Sequence, residues 1–285
     1  MIAVTGATGH LGHLVVTGLL DAGVPAAEVV AVVRTPDKAA DLAARGVDVR
    51  QAAYTDRAAL ETALKGVDRL LLVSGSEVGS RVAQHANVLQ AARGAGVDLV
   101  VYTSAPKADD TPLPLAPEHI ATERLIADFD LPAVVLRNNW YFENYDQQVR
   151  QAAETGSVTG SAGRGRIAAA TRADFAAATV AVLTAAEPTP GIVELGGDEA
   201  WTLADLAAAV AAETGREVTY RDLSPAEHVR SLVGAGLPEG TAQFVAGLDQ
   251  AIAQGALETG STALSELIGR PTTTLPEYVH SVLGR

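Results

Sequence analysis

The sequence predicts an α/β fold, in which a doubly wound parallel sheet is followed by a smaller, mostly helical C-terminal lobe. Two observations lead to this prediction. Six short runs in the first half, rich in Val, Leu and Ile, are continuously apolar, as strands buried on both faces of a parallel sheet should be. Helical stretches separate these runs, and such alternation is typical of repeated βα units.

The elements of the first half follow from this pattern in order. The predicted strands are residues 2–5, 29–33, 47–51, 69–73, 98–103 and 133–137. The helices between them are predicted near residues 10–22, 36–45, 57–65, 80–95 and 117–129. We therefore expect residues 1–155 to form one nucleotide-binding domain built on the sheet.

The order changes after about residue 140, where a Gly- and Ser-rich loop at 155–165 precedes a helix from about Asp174. A strand is predicted at 191–195, and the later helices near residues 202–214, 224–234, 240–253, 261–268 and at the C-terminus. We expect residues 156–285 to form mainly a substrate-binding lobe over the C-terminal edge of the sheet, with some elements returning to the sheet.

The composition excludes several kinds of chemistry. The 285 residues include no cysteine, which rules out disulfides, thiolate nucleophiles and cysteine metal sites, and no metal site is predicted. A net charge of −13 disfavours nucleic acid as a partner. No apolar run approaches the roughly 20 residues of a membrane helix, and no signal peptide is evident, so we expect a cytoplasmic protein without a membrane partner.

Three glycines three residues apart, in GATGHLG, follow the first predicted strand. A backbone that turns sharply and approaches a pyrophosphate cannot carry Cβ atoms at its closest points, and Gly12 would let the first helix pack tightly. The alternative is an ordinary strand-to-helix turn, but five more βα units behind the loop favour nucleotide binding. The predicted cofactor-binding residues here are Gly6, Ala7, Thr8, Gly9, His10, Leu11 and Gly12.

The spacing GxxGxxG resembles that of the extended and atypical short-chain dehydrogenases/reductases. Together, GATGHLG, VVRTPDK, LLLVSGSEVG, QHANVLQAA, LRNNWYFENY and IGRPTTTLPE resemble the NmrA-like bacterial NADPH-dependent quinone oxidoreductases over essentially the whole chain. The triphenylmethane dye reductases share most of these segments. The resemblance implies a Rossmann-like fold and hydride transfer from NADPH to quinones, with dyes as the alternative acceptor and a homodimer as the expected assembly.

The nicotinamide cofactor is predicted from the end of the second strand, where NAD enzymes place an acidic residue. This sequence has Arg34 there, and a guanidinium can hold a 2′-phosphate through paired charge-assisted bonds. Lys38 lies one helical turn further on and would add a second positive charge. A solvated helix N-terminus is the alternative, but the position favours NADPH.

The YxxxK pair of many short-chain dehydrogenases is missing. When the helix is placed on that motif, Leu115 replaces the tyrosine, His119 replaces the lysine, and Glu123 matches a glutamate common in the family. Hydride addition to a quinone gives a stabilised hydroquinone anion, so it does not need the positioned acid that ketone reduction uses. His119 is predicted to bond the nicotinamide ribose, the alternative being a partly exposed helix histidine. His85 is expected to anchor its helix or a subunit contact.

Small residues at the ends of the fourth and fifth strands are further candidates, because they allow a cofactor to approach the backbone. The alternative is a plain strand-to-loop turn. The predicted cofactor-binding residues at these two positions are Val73, Ser74, Gly75, Ser76 and Thr103.

The segment LRNNWYFENY is unusual in a chain with only 4% aromatic residues. Its asparagines and aromatic side chains suit a carboxamide and a flat acceptor. The predicted roles are nicotinamide contacts for Asn138, Asn139 and Trp140, and substrate contacts for Trp140, Tyr141, Phe142 and Asn144. Asn144 would hydrogen-bond a quinone oxygen, a role that the resemblance also implies, and it is predicted to be catalytic together with Tyr141 and His119. An aromatic plug between the lobes is the alternative for Phe142 and Tyr145.

Two functions remain open at this point. The first is an NADPH-dependent oxidoreductase acting on quinones, or on triphenylmethane or azo dyes. The second is an NADP(H)-binding sensor without turnover, which NmrA-like proteins can be. The aromatic and asparagine-rich segment favours the enzyme, because a sensor does not need a site for an electron acceptor.

Overall fold

The computed structural model describes residues 1–284, which form two compact units. Unit 1 contains Met1–Ala108, Pro117–Asn138 and Arg172–Glu194. Unit 2 contains Asp109–Ala116, Asn139–Thr171 and the residues from Leu195 onward. The chain thus enters unit 2 briefly at Asp109 and again at Asn139, upstream of the boundary expected after residue 155. It then returns to unit 1 at Arg172 for one helix and one strand.

The strands of residues 1–284 lie in two sheets. They are β1 (Ile2–Thr5), β2 (Val29–Val33), β3 (Asp48–Gln51), β4 (Arg69–Leu72), β5 (Leu99–Ser104), β6 (Ala133–Asn138), β7 (Ser157–Gly160), β8 (Gly191–Leu195) and β9 (Thr219–Asp222). One sheet has seven strands in the order β3-β2-β1-β4-β5-β6-β8, and parallel ladders join its strands from β3 through to β6. The predicted doubly wound sheet is confirmed.

The strand order reverses between β1 and β4, where the chain first builds outward through β2 and β3 and then continues on the other side. Open α/β sheets bind ligands outside the carboxyl ends of the strands at such a reversal. All residues of β2 and of β5 are buried, as their continuous apolar sequence predicts. The fold therefore places the loops after β1 and β4 at the position where a ligand is expected.

Helices cover the sheet of unit 1. They are α1 (His10–Asp21), α2 (Ala40–Ala44), α3 (Arg57–Ala63), α4 (Arg81–Ala95), α5 (Ala116–Asp128) and α7 (Arg172–Thr184), with α6 (Asp146–Thr155) between the last two in sequence. Helices α1 and α7 pack closely, since a Cβ on Gly18 would lie 3.0 Å from Val180 Cγ2. Helix α7 begins at Arg172, so Asp174 is buried inside its first turn and does not begin the helix as predicted.

Unit 2 is mostly helical, as predicted for the C-terminal lobe. Its later helices are α8 (Leu203–Thr214), α9 (Pro225–Gly234), α10 (Glu239–Ala253), α11 (Ala263–Ile268) and α12 (Leu275–Leu283). Capping boxes at Thr202, Ser224 and Thr274 fix where three of these helices begin. Within the described range, no helix combines the length and the apolar character that crossing a membrane would require.

Three elements of unit 2 are absent from the sequence-based prediction. Strands β7 and β9 form a two-stranded parallel sheet, and β7 lies inside the Gly- and Ser-rich stretch expected to be a loop. Helix α6 is strongly polar, with only Val149 and Ala152 buried. Such short or polar segments carry weak periodic signals, and tertiary contacts decide their structure.

Candidate functional site

The glycine loop follows β1 and begins α1, as predicted. Gly6 has φ +60°, and its carbonyl accepts a hydrogen bond from the Gly9 N–H at 2.8 Å. A Cβ on Gly12 would collide with the Gly6 carbonyl oxygen, so this glycine lets the helix begin against its own loop. The helix has no side-chain cap at Gly9 and no acidic residue in its first turn. Its N-terminus thus retains the positive end of the dipole that favours a phosphate.

The two cations predicted for the 2′-phosphate are both exposed. Arg34 directly follows β2, and Lys38 lies in a short 3₁₀ turn over Pro36–Ala39. Arg34 Nη1 lies 3.3 Å from Glu77 Oε1, with 75% of the arginine side chain and 53% of the glutamate side chain exposed. Arg34 therefore meets a carboxylate that is itself on the surface.

The structure brings the predicted residues after β1, β4 and β5 together. A Cβ on Gly6 would lie 3.6 Å from Val73 Cβ, and the Ser74 N–H donates to Thr103 Oγ1 at 2.9 Å. The Gly75 N–H donates to His85 Nε2 at 3.0 Å. The segment after β4 is therefore fixed by side chains from β5 and α4, beside the glycine loop.

Tyr54, which the sequence analysis did not select, lies in the same place. It follows β3, and its hydroxyl is 2.6 Å from Thr5 Oγ1 and 2.8 Å from the Val73 carbonyl oxygen. Thr5 Oγ1 also accepts from the Val73 N–H at 3.1 Å. Burial raises the pKa of Tyr54 well above its ordinary value, so its phenol stays protonated. Tyr54 thus joins the ends of β1 and β4.

His85 anchors helix α4, in agreement with the first of its two predicted roles. Its Nε2 accepts from Gly75, so Nδ1 carries the hydrogen and donates to Thr122 Oγ1 at 2.9 Å. The Thr122 hydroxyl in turn donates to the Glu118 carbonyl oxygen at 2.9 Å. Burial, assisted by the charge of Arg81, lowers the pKa of His85 to about 3. The imidazole is therefore neutral, and it links α4 to α5.

His119, the histidine at the lysine position, is buried with both ring nitrogens occupied. Arg81 Nη1 lies 3.3 Å from Nε2, and since a guanidinium only donates, Nε2 accepts. Nδ1 then carries the hydrogen and donates to the Tyr102 hydroxyl oxygen at 2.9 Å. A bond from His119 to a nicotinamide ribose would require Arg81 to leave Nε2. That predicted role stays a prediction, and the partly exposed histidine of the alternative is not what the structure has.

Arg81 is the charge at the centre of this network. Its Nε donates to the Gly75 carbonyl oxygen at 2.6 Å, and its Nη1 lies 3.4 Å from Glu118 Oε2. Only 8% of its side chain is exposed. Burial, followed by the charges of Arg81 and then of His85, lowers the pKa of His119 to about 3. Arg81 is thus the permanent cation beside a histidine that stays neutral.

Tyr102 is not positioned to protonate a substrate. It is fully buried in β5, and burial raises its pKa well above its ordinary value. Its oxygen accepts from His119, which is itself enclosed. The structure therefore supports the inference that this chain has no accessible counterpart of the Tyr-Lys pair.

Glu123 and Arg137 form a buried ion pair that the sequence did not reveal. Arg137 Nη2 donates to Glu123 Oε2 at 2.8 Å and Nε to Oε1 at 3.0 Å, while Nη1 reaches Glu194 Oε1 at 3.1 Å. Glu194 accepts from the Lys107 N–H, which holds that residue at φ +49° after β5. Glu194 thus fixes the loop after β5, and Glu123, the glutamate of the placed motif, holds the arginine that pairs with Glu194.

The aromatic residues of the segment LRNNWYFENY lie in unit 2, and some of its residues are buried whereas others are accessible. Phe142 is 1% exposed and stacks on Tyr278 and Trp201, with ring centroids 4.6 and 5.7 Å away. Phe142 has no surface left for a substrate and is a core residue of unit 2, as is Tyr145. Asn144 is exposed, and Trp140 and Tyr141 are half-buried, so these three keep surface for a ligand.

The two asparagines predicted to bind the carboxamide are both buried. Asn138 is the last residue of β6. The Asn139 side chain accepts from the Trp140 N–H at 2.7 Å and donates to the Leu257 carbonyl oxygen at 3.2 Å. Asn139 thus anchors unit 2 internally, and a nicotinamide contact would have to compete with these bonds.

A second buried polar cluster, in unit 2, contains Ser161, His228 and Asp249. Ser161 Oγ and Asp249 Oδ2 lie 2.9 and 3.2 Å from the same histidine nitrogen, Nδ1. A nucleophilic relay needs the serine and the aspartate on opposite nitrogens of the ring. The cluster therefore joins β7 to α9 and α10 and does not form a hydrolytic triad.

The candidate site in unit 1 combines the glycine loop and the uncapped helix N-terminus with two neutral histidines and two arginine–glutamate pairs. It includes Tyr54, Glu77, Arg81 and Gln84, which the sequence analysis missed. Tyr54 lies just beyond the carboxyl end of β3, and Arg81 is the first residue of α4. Only the order of the strands shows that these two positions are close to the glycine loop. Polar side chains at that edge are expected near a ligand site.

Known proteins resemble this chain along its full length. The model of the NmrA-like family matches residues 1–279. Quinone oxidoreductase 2 of Escherichia coli (strain K12) is 51% identical over 279 residues, which cover 98% of this chain and 97% of that protein. The crystal structure of an E. coli NADPH-dependent quinone oxidoreductase complexed with NADPH is 50% identical, covers 100% of both chains and has a TM-score of 0.97.

A reductase of dyes is also similar. The crystal structure of the Citrobacter sp. triphenylmethane reductase complexed with NADP(H) is 37% identical, covers 99% of this chain and 100% of that chain, and has a TM-score of 0.95. The resemblance stated from the sequence motifs is thereby confirmed. Since the family model matches nearly every residue, this chain belongs to the NmrA-like family.

Proposed function

We propose that this protein transfers a hydride from NADPH to quinones. The observation that carries the proposal is the 51% identity, over 98% of the chain, with a protein named quinone oxidoreductase 2. The geometry of unit 1 supports it independently, because a glycine-lined helix start and an exposed arginine lie at the carboxyl edge of the sheet.

NADPH fits the residues of unit 1. The glycine loop leaves space that a Cβ would fill, and the uncapped N-terminus of α1 favours its phosphates. Arg34 and Lys38 are proposed to hold the 2′-phosphate, since their side chains are exposed cations next to β2. The segment Val73–Ser76 is proposed to support the cofactor through its backbone. When bound, NADPH supplies the hydride.

The protein is proposed to orient the reactants without donating a proton. Tyr102 is enclosed, and His85 and His119 are neutral with every ring nitrogen engaged. Water can protonate a hydroquinone anion, so the reaction does not require a side-chain acid at this position. Positioning of the reactants is then the contribution of the chain.

On the acceptor side we propose Trp140, Tyr141 and Asn144, which keep exposed surface in the aromatic segment. Flat rings suit the face of a quinone, and an amide suits its oxygen. Replacing Asn144 by Ala is expected to lower kcat/KM for quinones by roughly tenfold or more, as loss of a hydrogen bond to the reacting group would. Gln148→Ala, on the following helix, is the matched control. Unchanged kcat and KM in Asn144→Ala would remove this assignment.

The test of the function is NADPH oxidation, followed by its ultraviolet absorbance, with simple benzoquinones and naphthoquinones. Dyes are the second candidate, because the Citrobacter triphenylmethane reductase is 37% identical and an NAD(P)H azoreductase from Xenophilus azovorans is 27% identical over 98% of this chain. Triphenylmethane and azo dyes are therefore run beside the quinones. Binding of NADPH without turnover of any acceptor would favour the sensor that the sequence left open.

A homodimer, which the family resemblance implies, and a cytoplasmic location, which is the expectation from the sequence, are also part of this proposal. Light scattering during gel filtration measures the assembly directly. A monomer at micromolar concentration would remove the homodimer from the proposal.

A further inference from the structure

Arg34, the residue proposed to bind the 2′-phosphate, is already paired with a carboxylate of its own chain. Its Nη1 lies 3.3 Å from Glu77 Oε1, although the two residues are 43 positions apart in sequence. Both side chains are largely exposed. An exposed ion pair of this kind is weak, so an anionic ligand can replace the carboxylate as the partner of the arginine.

Glu77 is held where it is by a second residue. Its Oε2 accepts a hydrogen bond from Gln84 Nε2 at 2.7 Å, and Gln84 is 7% exposed in α4. The Glu77 carbonyl oxygen also accepts from the Ser80 and Arg81 N–H groups at 3.2 and 3.0 Å. Hydrogen bonds to its backbone and to its side chain therefore hold Glu77 beside Arg34.

This arrangement affects the two nicotinamide cofactors differently. A 2′-phosphate carries a charge of about −1.5 to −2 near neutral pH, so it competes with Glu77 for Arg34 and is repelled by the carboxylate. The ribose of NADH has a 2′-hydroxyl in that position, which is neutral and can donate to a carboxylate. Glu77 thus opposes the first ligand and tolerates the second.

We propose that Glu77 is a specificity-determining residue, which lowers the preference for NADPH over NADH by competing with the 2′-phosphate for Arg34. The proposal rests on the proposed function in one respect, the binding of the 2′-phosphate by Arg34. The hydrogen bond from Gln84 Nε2 holds the Glu77 carboxylate at 2.7 Å from that amide.

The test is calorimetric titration of NADP⁺ and NAD⁺ into the whole protein at low ionic strength and about neutral pH, where surface pairs are least screened. Glu77→Gln keeps the size and the bond to the neighbouring amide and removes the charge. It is expected to tighten NADP⁺ binding by roughly three- to tenfold and to change NAD⁺ binding by less than about twofold.

Two further variants separate the possible causes. Glu61→Gln is the matched control, because Glu61 is 47% exposed and pairs with Arg57 at 2.8 Å in the same unit. It is expected to leave both affinities unchanged. In the double variant Arg34→Ala/Glu77→Gln, the gain from the second substitution is expected to disappear, since no competition for Arg34 remains.

The outcomes distinguish this proposal from the one on which it rests. If Arg34→Ala leaves NADP⁺ affinity unchanged, the 2′-phosphate site at Arg34 fails, and Glu77 fails with it. If Arg34→Ala weakens NADP⁺ by tenfold or more but Glu77→Gln does not tighten it, only the role of Glu77 is overturned. A gain that persists in the double variant also overturns it, because the effect would then not pass through Arg34.

Discussion

Two arginines at the carboxyl edge of the sheet in unit 1 are used in opposite ways. Arg34 is 75% exposed and pairs with the surface carboxylate of Glu77. Arg81 is 8% exposed and contacts Gly75 and His119 by hydrogen bonds and Glu118 as an ion pair. A surface charge can exchange its partner for a ligand, whereas a buried charge depends on the partners it has. Exposure, and not position on the edge alone, therefore separates Arg34, which is proposed to bind a ligand, from the structural cation Arg81.

Replacing Arg81 by Met gives the largest expected effect. The substitution keeps the apolar volume but leaves the Gly75 carbonyl, His119 Nε2 and the Glu118 carboxylate without their cation. We expect the free energy of unfolding to fall by about 3 kcal/mol, measured by urea denaturation. Arg34→Met is the matched control and should change it by less than about 0.5 kcal/mol. Equal losses in the two variants would break the comparison.

The second-largest expected effect is the pH dependence of the free energy of unfolding, which depends on the two buried histidines. The pKa of His85 and of His119 is held at about 3, below the ordinary value of 6.5. Between these values the unfolded chain binds protons that the folded chain does not, so stability is fully present above pH 6.5 and falls as the pH falls towards 3. From about pH 7 to about pH 5 we expect a loss of about 1 to 2 kcal/mol for each histidine.

The measurement is the urea midpoint at both pH values. His85→Gln and His119→Gln should each reduce the pH-dependent loss, because glutamine stays neutral throughout. A pH dependence that stays the same in both variants as in the parent protein would contradict the assignment to the buried pair.

The smallest expected effect tests whether the buried network contributes a proton. Tyr102→Phe removes the oxygen that accepts from His119 at 2.9 Å, and it should cost about 1 kcal/mol of stability. Turnover with quinones should remain within about threefold of the parent enzyme, since Tyr102 is enclosed. A hundredfold or greater loss of kcat with KM unchanged would identify Tyr102 as a general acid. It would overturn the proposal that no side chain of the protein donates a proton.

Local patterns predicted most of unit 1. Its strands differ from the predicted ranges by one residue at most at either end, because buried parallel strands are short, continuous apolar runs between turn residues. The glycine spacing and the arginine after β2 are local as well. Strands β7 and β9 and helix α6 were missed, because four-residue strands and polar helices have little periodicity to detect.

The site was predicted less completely than the fold. The glycine loop, Val73–Ser76 and Thr103 are close together in the structure, but their contacts with a cofactor stay a prediction. Phe142 was selected as an aromatic residue in a rare cluster, and the structure buries it against Trp201 and Tyr278. Composition cannot tell an exposed ring from a core ring when both follow the same strand.

The sequence by itself determined the doubly wound sheet, the glycine loop between the first strand and the first helix, and the family, because neighbouring residues carry the pattern of each. Only the tertiary structure decided that His119 is bonded on both sides, that Arg81 is the buried cation and that Glu77 faces Arg34. These contacts join residues 17 to 43 positions apart. Their partners are set by the order of strands in the sheet, which brings the carboxyl ends of β2, β4 and β5 to one edge, and no local pattern records that proximity.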